Sequence, residues 1–213
     1  MDSKRRAGAW LPALAAIAGA IAFAAPASGR AATTDVLGGC PASAYEQPFL
    51  RWLDLDSYFL APNGGLEAGA AGWTLGGGAG VVSGNESYQA HGGSDTSSLS
   101  LPQGSSATTS SVCVDPVSPT LRLFVRNSGS LLSTLKVEAL YTDLLGVRRT
   151  TTVALLIGGS TWQPTLPITF LSNLTALPLV TNGATSVSFR FTPQGVLGAW
   201  RIDDVYVDPF KGE

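Results

Sequence analysis

From Ser57 onward, apolar and polar residues alternate in short runs. Leu121, Leu123 and Val125 alternate with Arg122, Phe124 and Arg126; Leu135, Val137, Ala139 and Tyr141 alternate with Lys136, Glu138, Leu140 and Thr142; Val187, Phe189 and Phe191 alternate with Ser186, Ser188 and Arg190. A period of two with one apolar face is the mark of a half-buried strand. β-Branched residues crowd Thr150 to Val153, and further strands are expected at Ser57–Leu60, Gly80–Ser83, Ser97–Leu101, Ser110–Val114 and Trp200–Val207. Turn chemistry separates them at Pro62-Asn63-Gly64-Gly65, Asn127-Ser128-Gly129, Gly158-Gly159 and Asn182-Gly183. The run Gly76-Gly77-Gly78-Ala79-Gly80 lacks a phosphate-loop lysine or a following helix and reads as a hairpin turn. About ten short strands, with no sustained 3.6-residue period after residue 31, predict an all-β chain: a single antiparallel β-sandwich of jelly-roll type over 57–213.

The first residues follow another pattern. Lys4, Arg5 and Arg6 precede an uncharged run from Leu11 to Ala25, and small residues follow at Ala25-Pro26-Ala27 and Gly29-Arg30-Ala31. Fifteen apolar residues rise about 22 Å as a helix, short of the roughly 30 Å hydrocarbon core. Residues 1–31 therefore read as a secretory signal peptide rather than a retained anchor. Residues 32–56 are expected to form an irregular N-terminal arm, with Phe49, Trp52, Leu53 and Leu55 packed onto the sandwich. No later apolar stretch reaches spanning length without a proline or a charge, so no membrane span is expected in the mature chain.

Charge narrows the function. Charged residues make up 13% of the 213 and the net charge is −2. The signal segment carries a net +3, so its removal takes the chain from −2 to −5. An acidic chain without a basic run gains nothing from counterion release, which excludes nucleic acid as a partner. In an exported chain Cys40 and Cys113 are expected to form a disulfide, worth about 4 kcal/mol by closing a long loop. The competing reading is a lipid anchor, because Leu37-Gly38-Gly39-Cys40 resembles the lipobox of bacterial lipoproteins. In that family the cysteine closely follows the apolar run, whereas here Pro26, Arg30 and Asp35 intervene.

Familiar catalytic constellations do not assemble. His91 is the one histidine, which rules out a two-histidine zinc site and leaves a serine triad only this residue as base. Its setting, Ala90-His91-Gly92-Gly93-Ser94-Asp95, reads as a surface loop. Asp54 and Asp56 are the carboxylate pair to test for glycoside hydrolysis; in the arm, outside a cleft, they read as solvated charges.

Two motifs far apart in sequence say more. Asn63-Gly64-Gly65-Leu66-Glu67, with Gly72-Trp73 a few residues on, opens the sandwich, and Trp200-Arg201-Ile202-Asp203-Asp204-Val205-Tyr206-Val207 closes it. The combination resembles the galactose-binding-like jelly rolls, including the carbohydrate-binding modules attached to bacterial glycanases, over roughly 57–209. The departure is Leu66, where that family usually carries an aromatic residue. The resemblance implies a structural Ca²⁺ where the first and last strands meet, with Glu67 and Asp203 as side-chain ligands and Asn63 and Asp204 beside them. Strand parity with Val205 and Val207 would point Asp203 toward the core edge, where an unpaired carboxylate is costly. Calcium takes six to eight oxygens, which a glycine-rich turn supplies in part. The alternative is that Asp203 or Asp204 bonds turn amides or pairs with Arg201 or Arg190.

Sugar-binding modules stack rings on pyranose faces. The candidates are Trp73, Tyr88, Trp162 and Tyr141, with Arg122, Phe124, Arg126 and Arg190 on the outward parity of their strands; each also suits ordinary packing. Three readings remain open: a secreted non-catalytic module for carbohydrate or cell-surface glycan, a secreted structural or adhesive domain without a small ligand, and a hydrolase.

Overall fold

The computed structural model describes residues 43–114, 120–143, 145–170 and 185–208, all within one compact unit, 32–213. Among the described residues, thirteen strands follow a 3₁₀ turn at Leu50–Trp52: β1 (Phe59–Leu60), β2 (Thr74–Gly76), β3 (Gly80–Ser83), β4 (Ser97–Leu101), β5 (Ser106–Thr108), β6 (Val112–Val114), β7 (Thr120–Asn127), β8 (Thr134–Thr142), β9 (Arg148–Leu156), β10 (Gln163–Pro164), β11 (Ile168–Thr169), β12 (Thr185–Gln194) and β13 (Trp200–Asp208). They form two sheets. The first runs β10-β7-β13-β4-β3, with β1 on β13 and β11 on β7; the second runs β2-β5-β12-β8-β9, with β6 on β12. Every pairing is antiparallel. The chain is an antiparallel jelly-roll sandwich.

Alternation places the core. Leu121, Leu123 and Val125 of β7 face Val187, Phe189 and Phe191 of β12 between the sheets, with Leu99, Leu135, Val137, Trp200 and Ile202. Among the described residues no helix is long and apolar enough to cross a membrane.

A second apolar cluster lies on the outer face of the first sheet. Phe49 stacks on Phe124 with centroids 5.5 Å apart and meets Tyr58 and Tyr206 edge-on at 5.0 and 5.5 Å. The arm is fixed there by paired backbone bonds, Glu46 N–H to Tyr58 O at 2.9 Å and Tyr58 N–H to Glu46 O at 2.8 Å. Phe49 and Trp52 pack as expected, but Leu53 and Leu55 do not: they are 90% and 69% exposed. The 3₁₀ turn ends at Leu53 with φ +61°, and that reversal carries both leucines off the sheet.

The glycine run is not a hairpin turn. β2 belongs to the second sheet and β3 to the first, so Gly76–Gly80 carries the chain across the sandwich. Gly77 adopts φ +62°, and a Cβ there would fall 2.3 Å from the Gly104 carbonyl oxygen. That approach requires glycine. The expected Cys40–Cys113 bond has one end, Cys40, outside the described residues, as does the expected signal segment 1–31; Cys113 is not a free thiol.

Candidate functional site

The opening turn and the closing strand meet. Ala61 N–H donates to Val205 O at 2.8 Å, and Val205 N–H donates to Gly64 O at 3.2 Å. β13 bulges here: its register on β7 shifts between Asp203 and Tyr206, and Asp204 adopts φ +45°. The bulge overturns the parity argument for Asp203. One extra residue restarts the alternation, so Asp203 pairs with Phe124 and shares its outer face, while Val205 and Val207 face the core.

Both aspartates are fully buried, yet their surroundings differ. The Asp203 carboxyl accepts the Glu86 amide at 2.9 Å and the Asp204 amide at 3.0 Å. Burial, then the neighbouring Asp204 charge, pushes it up to about 9. Neither carboxyl oxygen of Asp204 has a hydrogen-bond partner of good geometry, nor does Asp95 Oδ2. Burial pushes Asp204 up to about 7; His91 pulls the other way, and the Glu86 and Asp95 carboxylates add to the rise. Two of these oxygens meet beside bare backbone: a Cβ on Gly65 would lie 3.0 Å from Asp204 Oδ1 and 3.6 Å from Asp95 Oδ2. His91 is exposed, as expected, but its ring borders this point, 4.0 Å from the same Cβ position.

The other expected calcium ligands are otherwise engaged. Glu67 is exposed; its carboxylate accepts the Thr96 and Ser97 amides at 2.8 Å each and the Thr96 hydroxyl at 3.2 Å. Asn63 closes its own turn, donating to Gly69 O and Ala71 O at 2.9 Å and accepting Ala68 N–H at 3.1 Å. Among the described residues no three His, Cys, Asp or Glu side chains cluster as a metal site. The carboxyl oxygens left without a hydrogen bond beside Gly65, and so open to a hard cation, belong to Asp204 and Asp95. Asp95 was missed from sequence because it sits in a loop whose path is set by Glu67.

The candidate ring and arginine residues divide three ways. Tyr88, Arg122, Phe124, Arg126 and Trp162 gather on the outer face of the first sheet. Trp73 does not join them; it is buried between the sheets, stacked at 6.2 Å on Phe191, with its ring N–H on Asn63 O at 3.0 Å. Tyr141 is buried in that same core. Arg190 lies on the second sheet, where it pairs with Glu138 at 2.9 Å rather than with Asp203 or Asp204.

The arm covers half of the outer face. Arg122 lies 3.9 Å over the Phe49 ring and pairs with Asp54, which also accepts the Tyr58 hydroxyl at 2.8 Å. Asp54 is therefore part of a buried network, not a solvated charge, and no strand holds it beside Asp56. The other half stays open. Half-buried Trp52 and Tyr88 meet at 4.8 Å, Tyr88 donates its hydroxyl to Trp162 O at 3.0 Å, and Arg126 lies 5.4 Å over the Trp162 ring. Arg201 stands directly across from Arg126 on β13. The sequence reading offers Arg201 only as a partner for Asp203 or Asp204, although its alternation with Trp200 and Ile202 places it on this face. An apolar groove of about 500 Å³ between β9 and Gln163–Thr169 involves none of these residues.

No family model matches the chain, and no curated protein matches it. Solved structures do. They include carbohydrate-binding modules. One is a two-module fragment of the Clostridium thermocellum endo-1,4-β-D-xylanase 10B complexed with xylohexaose: 14% identity, 67% of this chain, TM-score 0.46. The present chain spans 27% of that fragment. Another is the C-terminal family 22 module of the same enzyme, at 17% identity over 73% of this chain and 96% of that one, TM-score 0.43. A third, TmCBM61 in complex with β-1,4-galactotriose, is 19% identical over 70% and 96%, TM-score 0.40.

Proposed function

We propose that this chain is a secreted, non-catalytic module that binds a glycan on the open half of the first sheet's outer face. One observation carries the reading. Most rings of the described residues are buried in the two cores, whereas Trp52 and Tyr88 stay half-exposed, 4.8 Å apart, beside a row of arginines. Aromatic faces flanked by planar donors are what a pyranose, with apolar ring faces and equatorial hydroxyls, requires. In this reading residues 1–31 direct export and Cys40 pairs with Cys113. Calcium held by Asp204 and Asp95 would neutralise the buried carboxylates and fix the junction that orders the sandwich, a structural role.

The test is retention on insoluble polysaccharides together with a glycan array. Binding that falls at least tenfold in a W52A/Y88A variant of unchanged circular dichroism supports the reading, and silence across the array overturns it. A second reading, an adhesive domain without a small ligand, has its own observation. The tips 128–133 and 195–199 meet through Ser130 N–H to Leu197 O at 3.0 Å, and they expose Leu131, Leu132, Val196 and Leu197 by 77%, 92%, 77% and 68%. Self-association abolished by L132E, with a silent array, would favour it.

A further inference from the structure

Arg126 of β7 and Arg201 of β13 face each other across the ladder on the outer face, a cross-strand distance of about 5 Å between Cβ atoms. Like charges placed so are destabilising unless something lies between them. Among the described residues no acidic side chain does. The ion pairs among the described residues are Arg122–Asp54, Lys136–Glu138, Arg149–Asp143 and Arg190–Glu138, none of which involves this pair. Arg126 Nε is buried without a hydrogen-bond partner. Burial first, then the Arg126 charge, holds the Arg201 guanidinium below its usual value, with no carboxylate acting against either cause. The carboxyl on the same face, Asp203, sits two residues along and is held by the Glu86 and Asp204 amides.

The surroundings form a row. Arg126 is steadied over Trp162, Trp162 is joined to Tyr88 through its carbonyl, and Arg51 lies 5.5 Å from the Tyr88 ring centroid. On the far side Arg201 pairs with Ser100, and Ser100 with Gly80, beside whose Cα lies open space. Three arginines that form no ion pair among the described residues thus collect on one face of a chain whose net charge is negative. We propose that this face takes an acidic polysaccharide, with the carboxylate of a hexuronate residue bridging Arg126 and Arg201 and neighbouring sugar rings lying along Tyr88 and Trp52.

Guanidinium forks match a carboxylate bidentately, which a neutral hydroxyl cannot reproduce. An isolated carboxylate would satisfy the arginines alone; the adjoining half-exposed rings favour a saccharide over an acidic peptide. The inference rests on the glycan reading above and adds the charge class of its ligand.

The experiment measures binding of the full chain to polygalacturonate, alginate and glucuronoxylan, to their carboxyl-reduced counterparts, and to polyglutamate. The expected result is affinity for at least one uronate polymer that falls tenfold or more on carboxyl reduction. It should fall similarly in R126Q and in R201Q, decline with added salt, and be only partly kept in R126K. R126Q and R201Q should melt no lower than the parent, since each removes a repulsion. Equal affinity for native and reduced polymers would overturn the charge assignment and leave the glycan reading intact. Polyglutamate bound as tightly as the uronate polymer would overturn the saccharide class. Retention of no polysaccharide at all would overturn both.

Discussion

Arg122 on β7 and Asp54 in the N-terminal arm form an ion pair whose side chains are only 5% and 13% exposed. Arg122 also donates from Nε to Thr165 O at 2.9 Å, so its charge is bound on two sides and capped by the Phe49 ring. Removing one partner leaves a buried charge uncompensated. D54N is therefore expected to cost about 3–5 kcal/mol, whereas the apolar double variant D54L/R122M should come close to the parent. Urea unfolding of the three proteins measures both; a D54N loss under about 1 kcal/mol would show that water reaches the pair.

Calcium should act through Asp204. At a hundredfold excess over its dissociation constant an ion adds about 2.7 kcal/mol, which raises the melting temperature of a chain this size by about 5–10 °C. D204N is expected to lose that response and, in chelator, to melt above the parent, because the amide carries no charge for burial to penalise. E67Q, by contrast, should keep the calcium response, since Glu67 is committed to Thr96 and Ser97. Scanning calorimetry with and without calcium distinguishes them.

Glu138 sets an acid limit on the second sheet. Burial raises its carboxyl, but Arg190 and Lys136, each at 2.9 Å, outweigh this and hold it below the ordinary range. A depressed folded value means that its stabilisation is complete above the unfolded pKa near 4.5 and is lost as pH falls through the folded value. The urea midpoint should fall on acidification below about pH 4.5, and E138Q should flatten that limb while lowering the neutral plateau.

Gly77 in the crossover and Gly69 in the turn before β2 offer a contrast of two glycines. Gly77 and Gly69 have nearly the same positive φ, +62° and +61°, but a Cβ on Gly69 meets nothing within 4 Å. G69A should cost about 1–2 kcal/mol, the backbone penalty alone. G77A should cost clearly more, because Gly104 and Ser105 backbone atoms must also move. Equal losses in chemical denaturation would place no packing demand on the crossover.

The long strands were legible because their side chains alternate, and β3 and β4 fall at the predicted residues. β2, β5, β10 and β11 were not: two or three residues, many of them Ser, Thr, Gly or Pro, hold too little alternation to register. The meeting of the Asn63–Glu67 turn with the closing strand was readable through its resemblance to a known pattern. Its ligand geometry was not, because one bulge residue, Asp204, reverses the parity on which the reading of Asp203 rested.

Sequence alone thus determined the architecture, an all-β sandwich, and, away from the bulge at Asp204, which residues alternate inward. These follow from a periodicity written in neighbouring positions. Tertiary structure decided what covers each face: the arm placed over Arg122 and Phe124, the open row of Trp52, Tyr88, Arg126 and Arg201, and the unpartnered Asp204 and Asp95 oxygens beside Gly65. The reason is distance along the chain. Each of those features joins segments whose pairing is fixed only when long-range strand order and register close the sandwich.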